Sequence, residues 1–207
     1  MSIHKVRAHF KRKVRRKSSA IPLPFPVSST LRLARISPGP KFENVEPLVL
    51  KQWSDLQVFG PNVVVGTLRE MKRLMDCVAA GTLDASCIDR ALVILTRFGA
   101  KPLNDVARVA LWQSFGVPIF ELYLGLDQTL LASECEAHEG WHLAAGIEPM
   151  TLDGGELILD GAGNSGLRTG LSASVEETTC PCGLTSPRVL DVEQLRRIET
   201  RYLAVTA

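Results

Sequence analysis

Two short runs carry most of the side chains able to grip a metal ion: Glu134-Cys135-Glu136-Ala137-His138-Glu139-Gly140-Trp141-His142 and, further along, Cys180-Pro181-Cys182-Gly183. A tetrahedral zinc ion takes about four thiolate or imidazole ligands, commonly a short Cys/His pair from each of two loops. Cys135 with His138 suits one loop, and Cys180 with Cys182 suits the other. Pro181 stiffens the second turn, and Gly183 leaves room for a backbone N–H to face a thiolate. The set Cys135, His138, Cys180 and Cys182 therefore predicts a closed, structural zinc site. His142 competes with His138; the tighter spacing favours His138 and leaves His142 behind the ligands. Reduced neighbouring thiols, or a disulfide, are the alternatives. A catalytic ion would need an open position and a carboxylate such as Glu134 or Glu136 nearby. Three thiolates make an ion a poor activator of water.

The elements that must position these loops sit in a chain of 207 residues, 45% hydrophobic and 22% charged, enough for one good core divided between two lobes. No apolar run reaches the length of a membrane span and the N-terminus has no signal-peptide core, so the expectation is a cytoplasmic protein. Five cysteines, two of them isolated at Cys77 and Cys87, argue against a secreted disulfide framework. Cys77 is expected in a helix core. The net charge of +2 hides a split: up to Lys41 there are eleven basic residues and no acid, and from Phe42 onward thirteen basic against twenty-two acidic. Within the first stretch Ile3, Val6, Phe10 and Val14 recur at helical spacing among Lys5, Arg7, Lys11, Arg12, Lys13, Arg15, Arg16 and Lys17. Residues 1–17 thus suit an anionic partner such as RNA, a membrane surface or an acidic protein, with a solvated, disordered arm as the plainer expectation.

Ile21-Pro22-Leu23-Pro24-Phe25-Pro26 predicts an extended spacer, and the chain to Pro61 predicts loop with a short helix around Trp53. A strand, helix, strand, helix, strand rhythm follows. Asn62-Val63-Val64-Val65 is β-branched; Thr67 and Glu70 form a capping box ahead of Leu68, Met71, Leu74, Met75 and Val78, with Gly81 as stop. Ala91 to Thr96 is the next strand. Asn104 caps a helix with Val106, Val109, Ala110 and Gln113 inward and Gly116 at its end, and Val117 to Tyr123 is the third strand. This rhythm predicts a parallel sheet, with ligands beyond the strands' carboxyl ends. Glu121 and Asp127 are the carboxylates nearest that crevice. Short strands and glycine turns after Trp141 predict a β-rich lobe, and Asp191 to Leu203 a closing helix with Val192, Leu195, Ile198 and Tyr202 inward. Gly161-Ala162-Gly163-Asn164-Ser165-Gly166 has a phosphate-loop spacing but no helix behind it, so a mobile hairpin loop is expected. The domain expectation is a disordered basic arm and Pro-rich spacer over 1–41, an α/β lobe over 42–130, a zinc-stapled β lobe over 131–190 and a helix over 191–207.

Phe115-Gly116-Val117-Pro118-Ile119-Phe120-Glu121-Leu122-Tyr123, then Glu134-Cys135, Gly140-Trp141-His142, Gly155-Glu156-Leu157, Arg168-Thr169-Gly170, Cys180-Pro181-Cys182-Gly183 and Pro187-Arg188 stand in one order. That order resembles the phenylacetate-CoA ligase group of adenylate-forming, AMP-binding enzymes, over roughly Pro61 to Arg188. The resemblance implies a partial doubly wound α/β fold followed by a small β-rich lobe. Gly99-Ala100-Lys101-Pro102-Leu103 is similar to the family's adenine-pocket loop. The resemblance therefore implies a residual nucleotide or ligand crevice formed by Gly99, Ala100, Lys101, Pro102, Tyr123, Asp127 and Arg168.

Departures from the pattern shape the functional expectation. Where the family's Tyr-Gly-x-Thr-Glu segment serves ATP and magnesium, this chain has Tyr123-Leu124-Gly125-Leu126-Asp127, without the hydroxyl and with a shorter carboxylate. Where the family grips ribose with an Asp after Arg-Thr-Gly, this chain has Leu171, forfeiting a charge-assisted hydrogen bond of about 1.5 to 3 kcal/mol. With the arm and spacer standing where the family's phosphate loop would be and the sequence ending at Ala207, the expectation is a fragment without that loop and without the lid domain. The expectation is a pseudoenzyme with structural zinc, no catalytic residues and little affinity for ATP or AMP, which binds a small aromatic or acyl ligand or a protein partner. The alternatives are a component of a split acyl-CoA ligase completed by a separately encoded half, and a nucleic-acid or membrane adaptor working through the arm.

Overall fold

The computed structural model describes residues 20–152, 155–161 and 164–195; the basic arm at 1–17, part of the glycine run at 161–166 and most of the expected closing helix lie outside the described residues. The elements run β1 (Leu33–Arg35), β2 (Leu48–Val49), α1 (Ser54–Phe59), β3 (Val63–Gly66), α2 (Leu68–Ala79), β4 (Ala91–Arg97), α3 (Asp105–Phe115) and β5 (Ile119–Leu124). They continue as β6 (Leu130–Ser133), β7 (Trp141–Leu143), β8 (Ile147–Thr151), β9 (Glu156–Gly161), β10 (Asn164–Glu176) and β11 (Arg188–Gln194). All eleven strands join one sheet in the order β2-β1-β3-β4-β5-β6-β7-β11-β10-β9-β8. The five strands from β2 to β5 pair in parallel, and every pairing from β5 onward is antiparallel. The two expected lobes are thus two halves of one continuous sheet.

Local chemistry accounts for the helices of the parallel half. In α2 the Thr67 hydroxyl accepts from the Glu70 N–H while the Glu70 carboxylate accepts from the Thr67 N–H at 2.7 Å, a closed capping box. In α3 the Asn104 side chain accepts from the Ala107 N–H, and Gly116 ends the helix in a left-handed conformation. The inner face of α3 differs from expectation: Ala107 and Leu111 are buried, whereas Val106 and Val109 are 80% and 51% exposed. Apolar residues surround this helix, so its sequence marks no single inward stripe, and Ala107 and Leu111 are the ones that join the core.

Two further expectations are corrected. Residues 20–41 are ordered: Ile21, Leu23 and Phe25 alternate inward onto the sheet between exposed or partly exposed prolines, and β1 lies between β2 and β3. Extended backbone with every second residue apolar presents one face, which here covers Val63, Val65, Val93 and Phe120 on the side of the sheet opposite the helices. At the other end, Arg188–Gln194 is a strand and not the start of a helix, antiparallel to both β7 and β10. Its inward valines, Val189 and Val192, stand three apart because the pairing with β10 shifts register around Asp191, whose φ is 53°, so the strand keeps a helix-like spacing in the sequence. Among the described residues no helix is long and apolar enough to cross a membrane.

Candidate metal centre and crevice

β6 delivers Glu134 and Cys135 from the strand that follows β5 in the sheet, and β7, paired with both β6 and β11, delivers His142. The second cysteine pair lies in the turn before β11, where Cys180 N–H donates to Leu184 O at 3.1 Å and Gly183 N–H donates to Cys180 O at 2.8 Å. The Gly183 N–H therefore closes the turn and is not directed at a thiolate. Adding a Cβ to Gly140, between the two loops, would bring it 2.5 Å from Val189 O, so only glycine permits this approach of β7 to β11.

The ligand atoms of Cys135, His142, Cys180 and Cys182 all lie within 4.8 Å of one another. Cys135 Sγ is 3.7 Å from Cys180 Sγ, and Cys182 Sγ is 3.4 Å from His142 Nε2. The imidazole of the cluster is His142 and not the expected His138. His138 lies in a tight turn with φ of 53°, its N–H bonded to Cys135 O, and its ring stacks on Phe120 at 4.7 Å. His142 is buried in its strand, and its Nδ1 sits 3.0 Å from Ser186 Oγ, leaving Nε2 toward the thiols. That outer contact is the device that usually orients a metal-ligating histidine.

The donor set fits a metal ion. Burial, helped by the Arg188 charge, holds the His142 pKa below its ordinary value and keeps the imidazole neutral, the ligating form. Burial also pushes the Cys135 thiol up, and the neighbouring sulfurs push it the same way, so this thiol keeps its proton unless a bound cation displaces it. Four protein ligands fill a tetrahedron and leave no position for water, the arrangement of structural sites.

Beside the cluster lies a buried carboxylate pair. Glu134 accepts two bonds from the Arg108 guanidinium and one from the Glu121 N–H at 2.7 Å. Glu121 accepts from the Thr96 hydroxyl and from the Leu103 N–H at 2.8 Å. Burial, opposed by Arg108, pushes Glu134 up to about 7, and burial raises Glu121 as well. Both oxygens of Glu134 and Oε1 of Glu121 accept from protein donors, which marks the pair as ties between β4, β5, β6 and α3.

A cavity of about 480 Å³ lies near the end of β4, lined by Phe98, Gly99, Ala100, Arg168, Leu171 and Leu195 among others. Of the seven predicted residues, Gly99, Ala100 and Arg168 converge there. Lys101 is exposed on the loop, and Pro102 lines a different cleft, beside α3. Tyr123 is buried and stacks on Trp141 at 5.0 Å. Asp127, exposed in the turn after β5, accepts from the Thr129 hydroxyl at 2.6 Å and N–H at 3.1 Å. The polar groups around Leu171 are engaged with one another. Arg168 is ion-paired with Glu156, the same carboxylate accepts from the Gly170 N–H at 3.2 Å, and the Leu171 N–H bonds Thr169 Oγ1 at 3.1 Å. Leu171 itself is only 2% exposed, packed in the core of the antiparallel half. Glu156 and the cleft beside α3 were not anticipated; the Glu156 to Arg168 pairing follows from the β9–β10 register, which no local pattern announces.

No protein-family model and no curated protein sequence matches this chain. The fold is that of part of an adenylate-forming acyl-CoA ligase, as comparison with solved structures shows. An open conformation of 2-hydroxyisobutyryl-CoA ligase in complex with 2-HIB-AMP and CoA aligns with a TM-score of 0.55 at 14% identity, covering 66% of this chain and 36% of that one. The same ligase in its postadenylation state gives 0.56 at 13%, covering 69% and 34%. A mutant form of coronafacic acid ligase from Pectobacterium brasiliense gives 0.50 at 13%, covering 71% and 33%. The chain spans about a third of the length of these structures.

Proposed function

We propose that this chain is a non-catalytic binding protein in which a structural zinc ion, held by Cys135, His142, Cys180 and Cys182, fixes the antiparallel half of an adenylating-enzyme fold. Its crevice takes a small aromatic or acyl group, or a protein side chain, in place of a nucleotide. The observation that carries this reading is the engagement of the polar groups around Leu171 with one another. A ribose diol placed against Leu171 finds no acceptor, a loss of about 1.5 to 3 kcal/mol, or roughly ten- to a hundredfold in affinity. A phosphate near Arg168 meets a guanidinium already neutralised by Glu156, so the anion gains little there.

The zinc ion, when bound, supplies cross-linking and no chemistry. Cys135 and His142 lie just after β6 and within β7, and Cys180 and Cys182 in the turn leading to β11, so four bonds join three consecutive regions of the sheet. Calorimetric titration of the purified chain with ATP tests the lost-adenylation reading: no binding heat is expected, and micromolar affinity would overturn it. Thermal shift with a panel of aromatic and acyl carboxylates, read against a Leu171→Asp variant, then probes the crevice.

A further inference from the structure

The outer face of α3 presents Val106, Val109 and Trp112 at successive helical turns, 80%, 51% and 58% exposed. Beside them runs an apolar groove of about 600 Å³ whose lining includes Val109, Trp112, Pro118 and Ile119. Arg108 and His138 line this groove and also the neighbouring cleft of about 520 Å³, so the two are continuous. That cleft is acidic: Asp105, Asp191 and Glu193 are exposed on it, with Glu121 and Glu134 beneath. Arg108 is the cation in the two linings, and it is already bonded to Glu134 and to Ile119 O. An apolar strip flanked by exposed carboxylates, three of which have no ion pair among the described residues, selects an amphipathic segment rich in cations.

This chain carries such a segment in residues 1–17, with Ile3, Val6, Phe10 and Val14 spaced among eight lysines and arginines. We propose that residues 1–17 dock on this surface of their own chain, the apolar residues on Val106, Val109 and Trp112 and the cations on Asp105, Asp191 and Glu193. The anchor point lies close by. Phe25 packs on Phe120 with ring centroids 5.2 Å apart, and Phe120 stacks on His138 at 4.7 Å, the residue shared by groove and cleft. From Phe25 back to Ile21 is at most about 14 Å of extended chain, and the residues before Ala20 span up to roughly 60 Å more, so reach is ample. Docking joins the eight basic residues of 1–17 to a remainder in which twenty-two acidic residues outnumber sixteen basic ones. It makes the arm's exposure to other anions depend on salt.

Zero-length carbodiimide cross-linking of the full chain, as an equal mixture of light and nitrogen-15-labelled protein, tests this by mass spectrometry. Cross-links from Lys11, Lys13 or Lys17 to Asp105, Asp191 or Glu193 are expected within single chains. They should fall several-fold as salt shortens the Debye length from about 10 Å to about 3 Å. They should also fall in the double variant Val109→Ser, Trp112→Ala, whose exposed sites leave the fold intact. Arm lysines that link elsewhere, that link only between light and heavy chains, or that form no link overturn the proposal. Links to the three acids that persist unchanged in the double variant overturn the apolar half of it.

Discussion

His142 and Tyr123 show how single side chains express the balance between burial and partners. Ser186 holds the His142 Nδ1, and the imidazole is left with one free nitrogen facing sulfur. His138, three residues after Cys135, has the spacing of a ligand, yet its left-handed turn carries the ring to Phe120. The three cysteines were legible in the sequence because thiol pairs at short spacing are rare; the histidine was not, because the choice rests on backbone conformation and on which strand pairs with β11. Tyr123 buries its hydroxyl with no partner in full hydrogen-bond geometry, and burial, only partly opposed by the nearby Gly99 backbone, pushes its pKa up to about 12. Tyr123→Phe is therefore expected to stabilise the fold by about 1 kcal/mol, the relief of an unsatisfied buried polar group. Chemical denaturation measures it, and a loss of 1 kcal/mol or more would mean that the hydroxyl is partnered.

Glu121 gives a pH-dependent expectation. Burial raises its folded pKa above the ordinary value, against the smaller pull of the Thr96 hydroxyl and the Leu103 N–H. A carboxyl whose pKa is raised by folding contributes its full stability below the unfolded value and loses it as pH rises through the folded value. Glu121→Gln keeps the acceptor for Leu103 and removes the titration. The variant should thus gain on the wild type between about pH 4, near the ordinary glutamate value, and neutrality. Melting temperatures compared across that range check it; a difference that does not change with pH contradicts it.

Among the elements, α3 separates what patterning determines from what packing determines. Its ends were readable from Asn104 and Gly116, since a side-chain acceptor at the start and a left-handed residue at the stop are local chemistry. Its inward face was not, because valine and tryptophan lie on the outside as well. Leu111→Ala is expected to cost about 2 to 5 kcal/mol, whereas Val106→Ser should stay within about 0.5 kcal/mol. Denaturant melts of the two variants would expose an error if the order were reversed. The strand β11 was hidden for a related reason: acidic residues on its exposed side resemble a charged helix until its neighbours β7 and β10 are known.

At the scale of the whole molecule, one sheet changes from parallel to antiparallel at β5, and both candidate sites depend on that change. The βαβ half was legible from caps and β-branched runs, and Gly99 and Ala100 near the end of β4 line a cavity. The Ile21 to Phe25 segment was recognisable as extended, but its role as cover for the sheet depends on contacts with residues such as Phe120, far away in sequence. The antiparallel half is built on short strands and glycine turns, with a core that gathers Tyr123, Trp141, Leu157, Leu171 and Val189 from five different strands. A small, dispersed core of this kind gains most from a cross-link.

Metal content measured on three purified proteins tests the central claim most directly. Elemental analysis should find one zinc per chain in the wild type and in His138→Ala, and well under one in His142→Ala. A chelator should lower the melting temperature of the first two by several degrees, as expected of a metal that binds only the folded state. A well-folded wild type without metal, whose melting is indifferent to chelator, would contradict the account, as would zinc retained by His142→Ala and lost by His138→Ala.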